Sequence, residues 1–263
     1  MTEPTTASPL VRYEVAAGVA TVTLDSEHNR NALSVQLMSE LLAGLRAAIG
    51  DSGVRVVLLS HKGRVFCSGA DLKGTQAAIA SSDLPVASLP EILRTIWESP
   101  KPVIARVAGP ARAGGLGLIG AADLAVTTEE ATFAFTEVRI GVIPAVISAT
   151  VLPRLAPRAA AELFLTGDVF DGRRAAEIGL VTAAVPAESL DAEVARYVAA
   201  LLRGAPNALA GAKALLRRPA PESLQAELDD LATLSVRYFT SEEGKEGIAA
   251  FREKRDPHWV PSS

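Results

Sequence analysis

Two glycine-rich turns, each set directly after an apolar strand-like run, constrain this chain more than any other feature. The first is Val65-Phe-Cys-Ser-Gly-Ala-Asp-Leu-Lys-Gly74, which follows the run 54–60; the second is Gly114-Gly-Leu-Gly117, which follows the run 103–107. Small residues leave backbone N–H groups reachable at such turns, because no bulky side chain shields them. Two donors that face one point form an oxyanion hole, the device that stabilises an enolate or a tetrahedral oxyanion. The pairing of the turns, with a carboxylate-bearing segment after them, carries the argument; either turn alone is weak.

The remaining elements read as an α/β chain. Runs 11–15 and 19–24 form a hairpin, and Ser34 caps an amphipathic helix through Leu37, Leu41, Leu42 and Leu45. Strands are expected at 54–60, 103–107, 123–127 and 132–135, with a helix at 85–97 and a short helix that follows the second glycine-rich turn and runs through Ile119. From residue 148 onward the pattern is helical, with helices at 186–202, 208–217, 223–238 and 241–254. The boundary falls at 204–206, dividing a core of 11–203 from a helical region of 204–263.

Composition limits the function classes. A net charge of −4 and a pI near 5.5 argue against a nucleic-acid surface. Cys67 is the only cysteine, so no intrachain disulfide forms, and a cytoplasmic location fits. The first ten residues lack the pattern of a signal peptide, and no apolar run is long enough to span a membrane. The three histidines, His28, His61 and His258, are scattered, so no metal site is expected. His61 reads as a turn residue.

Other motifs compete with the oxyanion reading. Gly115-Leu-Gly117-Leu-Ile-Gly120 matches G-x-G-x-x-G, but residues 108–113 separate it from the preceding strand, and the helix before Asp123 is too short for a crossover. Cys67-Ser-Gly69 is not the G-x-S-x-G turn of a serine hydrolase. Cys67 is read as a packing residue, Asp71 as a helix cap and Asp123 as a structural hydrogen-bonding group. Glu137 interrupts the apolar segment Phe133-Ala-Phe-Thr-Glu-Val. Two readings stand for it: a proton-transfer group with a pKa raised by its surroundings, or an ion pair with Arg139 or another arginine.

Together these residues resemble the crotonase superfamily of enoyl-CoA hydratases and isomerases. The matching segments include Asn31-Ala-Leu33, Phe66-Cys-Ser-Gly-Ala-Asp-Leu-Lys73, Lys101-Pro102, Gly114-Gly115, Ala122-Asp123, Phe133-x-x-x-Glu137-x-x-x-Gly141-x-x-Pro144 and Ala175-x-x-x-Gly179-Leu-Val181. The resemblance implies a spiral of repeated ββα units, with a C-terminal helical region that assembles trimers or hexamers. It implies an acyl-CoA thioester substrate, with coenzyme A entering as part of that substrate and no tightly bound cofactor.

By the same resemblance, the thioester oxygen lies between the N–H groups of Ala70 and Gly114, and Glu137 is the acid/base. Arg30, Ala32, Ser68, Asp71, Leu72 and Lys73 are implied on the coenzyme A side. Phe251 and Lys254 would reach the coenzyme A of a neighbouring subunit. Pro144 is placed on the acyl side. Arg112 departs from relatives, which usually carry an apolar residue there; its charge faces either the acyl pocket, where it pairs a distal acyl carboxylate, or a subunit boundary, where it makes an interface ion pair.

One departure stands out. Hydratases of this kind carry a second glutamate where this chain has Gly117. A single carboxylate suits a double-bond shift, which needs one base. It also serves hydration if one water supplies both fragments. Segment 136–148 resembles the methylglutaconyl-CoA hydratase-like branch, whose bacterial members tend to carry glycine at that position, and this tips the expectation toward hydration. A weakly catalytic acyl-CoA-binding protein is the alternative outside enzymes.

Overall fold

The computed structural model describes residues 8–71, 88–219, 221 and 223–261. Among these, a six-stranded sheet runs in the order β1-β2-β3-β4-β6-β9. Its strands are β1 (Val11–Ala16), β2 (Val19–Leu24), β3 (Val56–His61), β4 (Val103–Val107), β6 (Leu124–Thr128) and β9 (Ala183–Val185). Only the β1–β2 hairpin is antiparallel; from β2 onward every neighbour is parallel. Parallel strands need both faces covered, which is why β3 and β4 read as nearly continuous apolar runs.

Alternation along β3 shows the two faces. Val57 and Leu59 belong to the main core, whereas Val56 packs on the opposite side with Ile104, Val126, Leu190 and Val194. The main core is closed by α1 (Val35–Gly50), α2 (Leu89–Glu98) and α3 (Gly114–Ala121). Ser34 caps α1 by accepting from the Leu37 N–H. The opposite face is covered by α7 (Leu190–Arg203).

A second, three-stranded sheet links β5 (Ala111–Arg112), β7 (Thr132–Ala134) and β8 (Phe170–Asp171). It was not expected at β5 or β8, and β9 also falls in the stretch read as helical. These strands have two or three residues each, too short for alternation to register against the surrounding helices. The helices there are α4 (Ala145–Val151), α5 (Pro157–Thr166) and α6 (Gly172–Glu177). The helix expected at 85–97 begins at Leu89 among the described residues.

The C-terminal helices are α8 (Pro206–Leu215), α9 (Leu224–Phe239) and α10 (Glu242–Glu253). Charge joins the first of them, α8, to the core. Asp123 accepts from the Val103 N–H at the start of β4 and pairs with Lys213 at 2.7 Å and Arg217 at 2.5 Å. Arg154 donates to the carbonyls of Gly120 and Ala122 at the end of α3 and stacks on Trp97, which Arg217 also contacts. Arg55 donates to the carbonyls of Gly204 and Trp259. The expected structural role of Asp123 is thus seen directly.

Candidate active site

The first glycine-rich turn and the residues leading to the second lie beyond the C-terminal ends of parallel strands β3 and β4, the end where open α/β sheets gather their ligands. Gly114–Gly117, expected as a turn, is instead the first turn of helix α3, because the sharp bend falls one residue earlier, at Ala113. Backbone bonds hold the turns side by side. Pro110 O accepts from Phe66 N at 3.0 Å, and Cys67 O accepts from Arg112 N at 2.9 Å. A β-bridge pairs Cys67 with Ala111. Gly69 adopts φ +93°, and a Cβ there would come within 3.0 Å of the Ala113 Cβ and 3.3 Å of the Arg112 carbonyl oxygen. Only glycine meets both demands, a left-handed backbone and the neighbouring turn against it.

Ala113, the residue before α3, has φ +47° and ψ −118°, unusual for a residue with a side chain. That conformation turns the chain sharply into the helix. Gly114 is the first residue of α3, so its N–H has no intrahelical partner. Neither the Gly114 N–H nor the Ala70 N–H donates to an acceptor among the described residues.

Glu137 opens a 3₁₀ turn, Glu137–Ile140, which Phe135 and Thr136 separate from the end of β7. β7 is registered on β5, with Ala134 opposite Arg112, and the Ala113 N–H donates to the Ala134 carbonyl. Glu137 lies three residues beyond that contact, within about 10 Å of chain. The Glu137 Oε2 atom is buried and has no hydrogen-bond partner among the described residues. Burial raises the pKa of this carboxyl, opposed in part by a hydrogen bond from its own backbone. Arg139 turns away to Asp168 and to the Gly167 carbonyl. The ion-pair reading of Glu137 with Arg139 is therefore corrected.

Gly117, one turn along α3, is buried against α4. A Cβ there would lie 2.6 Å from Ile147 Cγ2 and 3.4 Å from Leu93 Cδ1. Thr150 donates to the Gly117 carbonyl at 3.1 Å, which fastens the two helices at this level. The position carries no carboxylate, and an aliphatic side chain takes the space beside it. Pro144, buried, precedes α4 on the same connection that carries Glu137.

The other expected residues are distributed unevenly. Arg30, Ala32 and Ser68 adjoin the first turn: Ser68 N donates to the Arg30 carbonyl, and Arg30 is exposed while Ala32 is buried. Asp71 follows Ala70 at the end of the described turn, while Leu72 and Lys73 lie outside the described residues. Arg112 spends its guanidinium on the second sheet, with Nη1 donating to the carbonyls of Thr132 and Ala111 and Nη2 to Thr132 Oγ1. A substrate carboxylate would have to break those bonds to use it. Phe251 and Lys254 are exposed on α10 and its cap, and no hydrogen bond ties them to the two turns among the described residues.

His61, read from the sequence as a turn residue, is instead the last residue of β3. It is buried at the end of β3, and its Nε2 accepts from the Ala108 N–H at 3.0 Å, joining the approach to the second turn with that to the first. Burial, aided by Arg106, lowers its pKa to about 4 against weaker raising by nearby carbonyls, so the ring is neutral at pH 7. Among the described residues, no group of three or more His, Cys, Asp or Glu side chains could hold a metal ion. Nor is any helix there long and apolar enough to cross a membrane.

Comparison with known proteins identifies the family. The family model described as enoyl-CoA hydratase/isomerase matches residues 14–261. The chain is 47% identical to an enoyl-CoA hydratase of Mycobacterium avium, covering 95% of this chain and 98% of that one, with a TM-score of 0.72. It is 31% identical to an enoyl-CoA hydratase/isomerase of Marinobacter aquaeolei, covering 96% and 99%, with a TM-score of 0.89. A Rhodobacter capsulatus relative, named a "Probable enoyl-CoA hydratase", is 33% identical over 252 residues, covering 95% of this chain and 97% of its own. With a crotonase-type α/β core, a C-terminal helical region and a match along nearly its whole length, the chain belongs to the enoyl-CoA hydratase/isomerase family.

Proposed function

We propose that this protein hydrates a 2-enoyl-CoA thioester, with the thioester oxygen held by the N–H groups of Ala70 and Gly114 and protons carried by Glu137 alone. The observation that carries the reading is the buried, unpartnered Glu137 Oε2, three residues along the chain from the Ala134 carbonyl that binds the Ala113 N–H, together with the unpaired N–H groups of Ala70 and Gly114. A carboxyl group with raised proton affinity suits both halves of a proton cycle near neutral pH.

The steps balance with one water molecule. Glu137 takes a proton from water as the hydroxyl oxygen bonds to C3. The C2–C3 π electrons move into an enolate whose oxygen the two backbone donors stabilise. Glu137 then returns the proton to C2, giving a 3-hydroxyacyl thioester and restoring the carboxylate. Coenzyme A leaves unchanged as part of the product. The names of its relatives as enoyl-CoA hydratases support this reading.

Ile147 beside Gly117 favours a second reading, 3,2-enoyl-CoA isomerisation. An aliphatic wall offers no second group to orient water, whereas a double-bond shift needs only one base to remove a proton at C2 and return it at C4. Assembly as a homotrimer or a dimer of trimers accompanies either reading. It is supported by the exposed apolar residues Leu224, Leu228, Val236 and Phe239 on α9.

Turnover in deuterium oxide separates the two chemistries: hydration gives a 3-hydroxyacyl product labelled at C2, and isomerisation gives a conjugated enoyl product. Glu137→Gln keeps shape and loses the proton cycle, so activity should fall by roughly 10²- to 10⁴-fold while acyl-CoA still binds. Wild-type turnover by that variant would overturn the single-glutamate mechanism.

A further inference from the structure

We infer that Leu33 is the positioning residue that sets the gap between the two backbone donors. The inference rests on the proposed role of Ala70 and Gly114 and adds to it the element that holds them in register.

Leu33 touches both turns at once. Its N–H donates to the Gly69 carbonyl at 2.8 Å, and a β-bridge pairs it with Ala70. Its side chain reaches the other turn: a Cβ on Gly114 would lie 2.5 Å from Leu33 Cδ1. The backbone of one residue thus fixes the first donor, and its side chain packs on the α-carbon of the second. Leu89 also approaches Gly114, at 3.5 Å from the same point, but bonds to neither turn among the described residues.

The residue is itself anchored. Two positions earlier, Asn31 is fully buried in a left-handed conformation, φ +53°. Its Oδ1 accepts from Ser26 N at 2.7 Å, and its Nδ2 donates to the carbonyls of Lys62 at 3.0 Å and Val65 at 2.8 Å. Those carbonyls lie on the segment that leads into the first turn. The short Asn31-Ala-Leu33 stretch is therefore pinned to the approach of one turn, hydrogen-bonded within it, and packed on the other. Its carboxyl side enters α1 through the Ser34 cap, so a displacement of Leu33 would have to move a helix.

A merely structural leucine would lower stability when truncated and leave the chemistry of the folded fraction unchanged. A positioning leucine changes how strongly the carbonyl is polarised. The readout is the absorption of an aryl-conjugated enoyl-CoA bound to the full-length protein, which moves to longer wavelength as its thioester carbonyl is polarised, together with kcat and KM on a 2-enoyl-CoA. Leu33→Ala should lower kcat at least about 10-fold with KM within about 2-fold, because an interaction made mainly in the transition state is weakened. It should also lose most of the red shift.

Leu33→Met, similar in volume, should restore both readings in large part. Leu45→Ala, in the same core but on the third turn of α1, should lower stability without altering the red shift. Wild-type kcat and red shift in folded Leu33→Ala would overturn the inference; if that variant does not fold, an unchanged red shift in Leu33→Val would do so. A wild-type protein that gives no red shift, or an Ala70→Pro variant that keeps it, would instead overturn the assignment of the donors.

Discussion

Placing a glutamate at residue 117 tests how far the present site has moved from a two-carboxylate arrangement. A Cβ there meets Ile147 Cγ2 at 2.6 Å, against about 3.5–4.0 Å for an ordinary carbon contact, so roughly 1 Å of overlap must be absorbed. Thr150 binds the Gly117 carbonyl, which leaves α3 and α4 little room to part. Overpacking of this kind costs about 1–3 kcal/mol, and the carboxylate would also be set against Leu93 and Ile147. Gly117→Glu alone should therefore destabilise the protein by about that amount and lower turnover. Ile147→Ala alone should cost about 2–5 kcal/mol through the cavity it leaves. Combined, the two should be less harmful than their sum by at least about 1 kcal/mol, because the cavity accepts the new side chain. Urea denaturation of the four proteins measures the coupling. Loss of 2-enoyl-CoA absorbance shows whether the double variant hydrates faster than Gly117→Glu. Additive stabilities, within about 0.5 kcal/mol, would refute the claim that Ile147 occupies the place of the missing acid.

Two further predictions follow from buried groups. His61 has a folded pKa of about 4 against 6.5 unfolded, so the unfolded chain binds the extra proton between those values, and stability is complete above pH 6.5 and falls as pH drops to 4. The loss amounts to about 3 kcal/mol, to be read as the pH dependence of the denaturation midpoint, and it should flatten in His61→Gln. Cys67 is fully buried and its thiol is pushed up to about 12, so a thiol reagent should label the native protein no faster than the protein unfolds; rapid labelling at neutral pH would contradict this packing.

The parts of the fold that repeat a strong pattern were legible in the sequence. Strands β3 and β4 showed as apolar runs, and α1 showed its cap and its leucine periodicity. The strands β5, β8 and β9 were not legible, since two or three residues carry no period. At the site, the glycines announced the turns, but what each glycine makes room for is a three-dimensional fact. Gly69 yields to Ala113, and Gly117 yields to Ile147, thirty positions away in sequence. Asn31-Ala-Leu33 was visible as a motif, yet nothing in its spacing tells that Leu33 spans both turns. His61 looked like a turn residue because its partner, the Ala108 N–H, lies on another strand's exit. Arg139 had seemed a natural partner for Glu137 by proximity along the chain, and the 3₁₀ turn points it to Asp168 instead.

At Ala113, selection for stability and selection for chemistry would part. Its backbone conformation, φ +47° and ψ −118°, costs of order 1–3 kcal/mol for any residue with a side chain, and glycine would recover much of that. Yet its methyl group is the part of the second turn that meets Gly69 in the first. A search for heat resistance alone would favour glycine at this position and would also remove one of the contacts by which the turns brace each other. The sturdier protein would be the looser catalyst, so residue 113 marks a place where folding and chemistry ask for different amino acids.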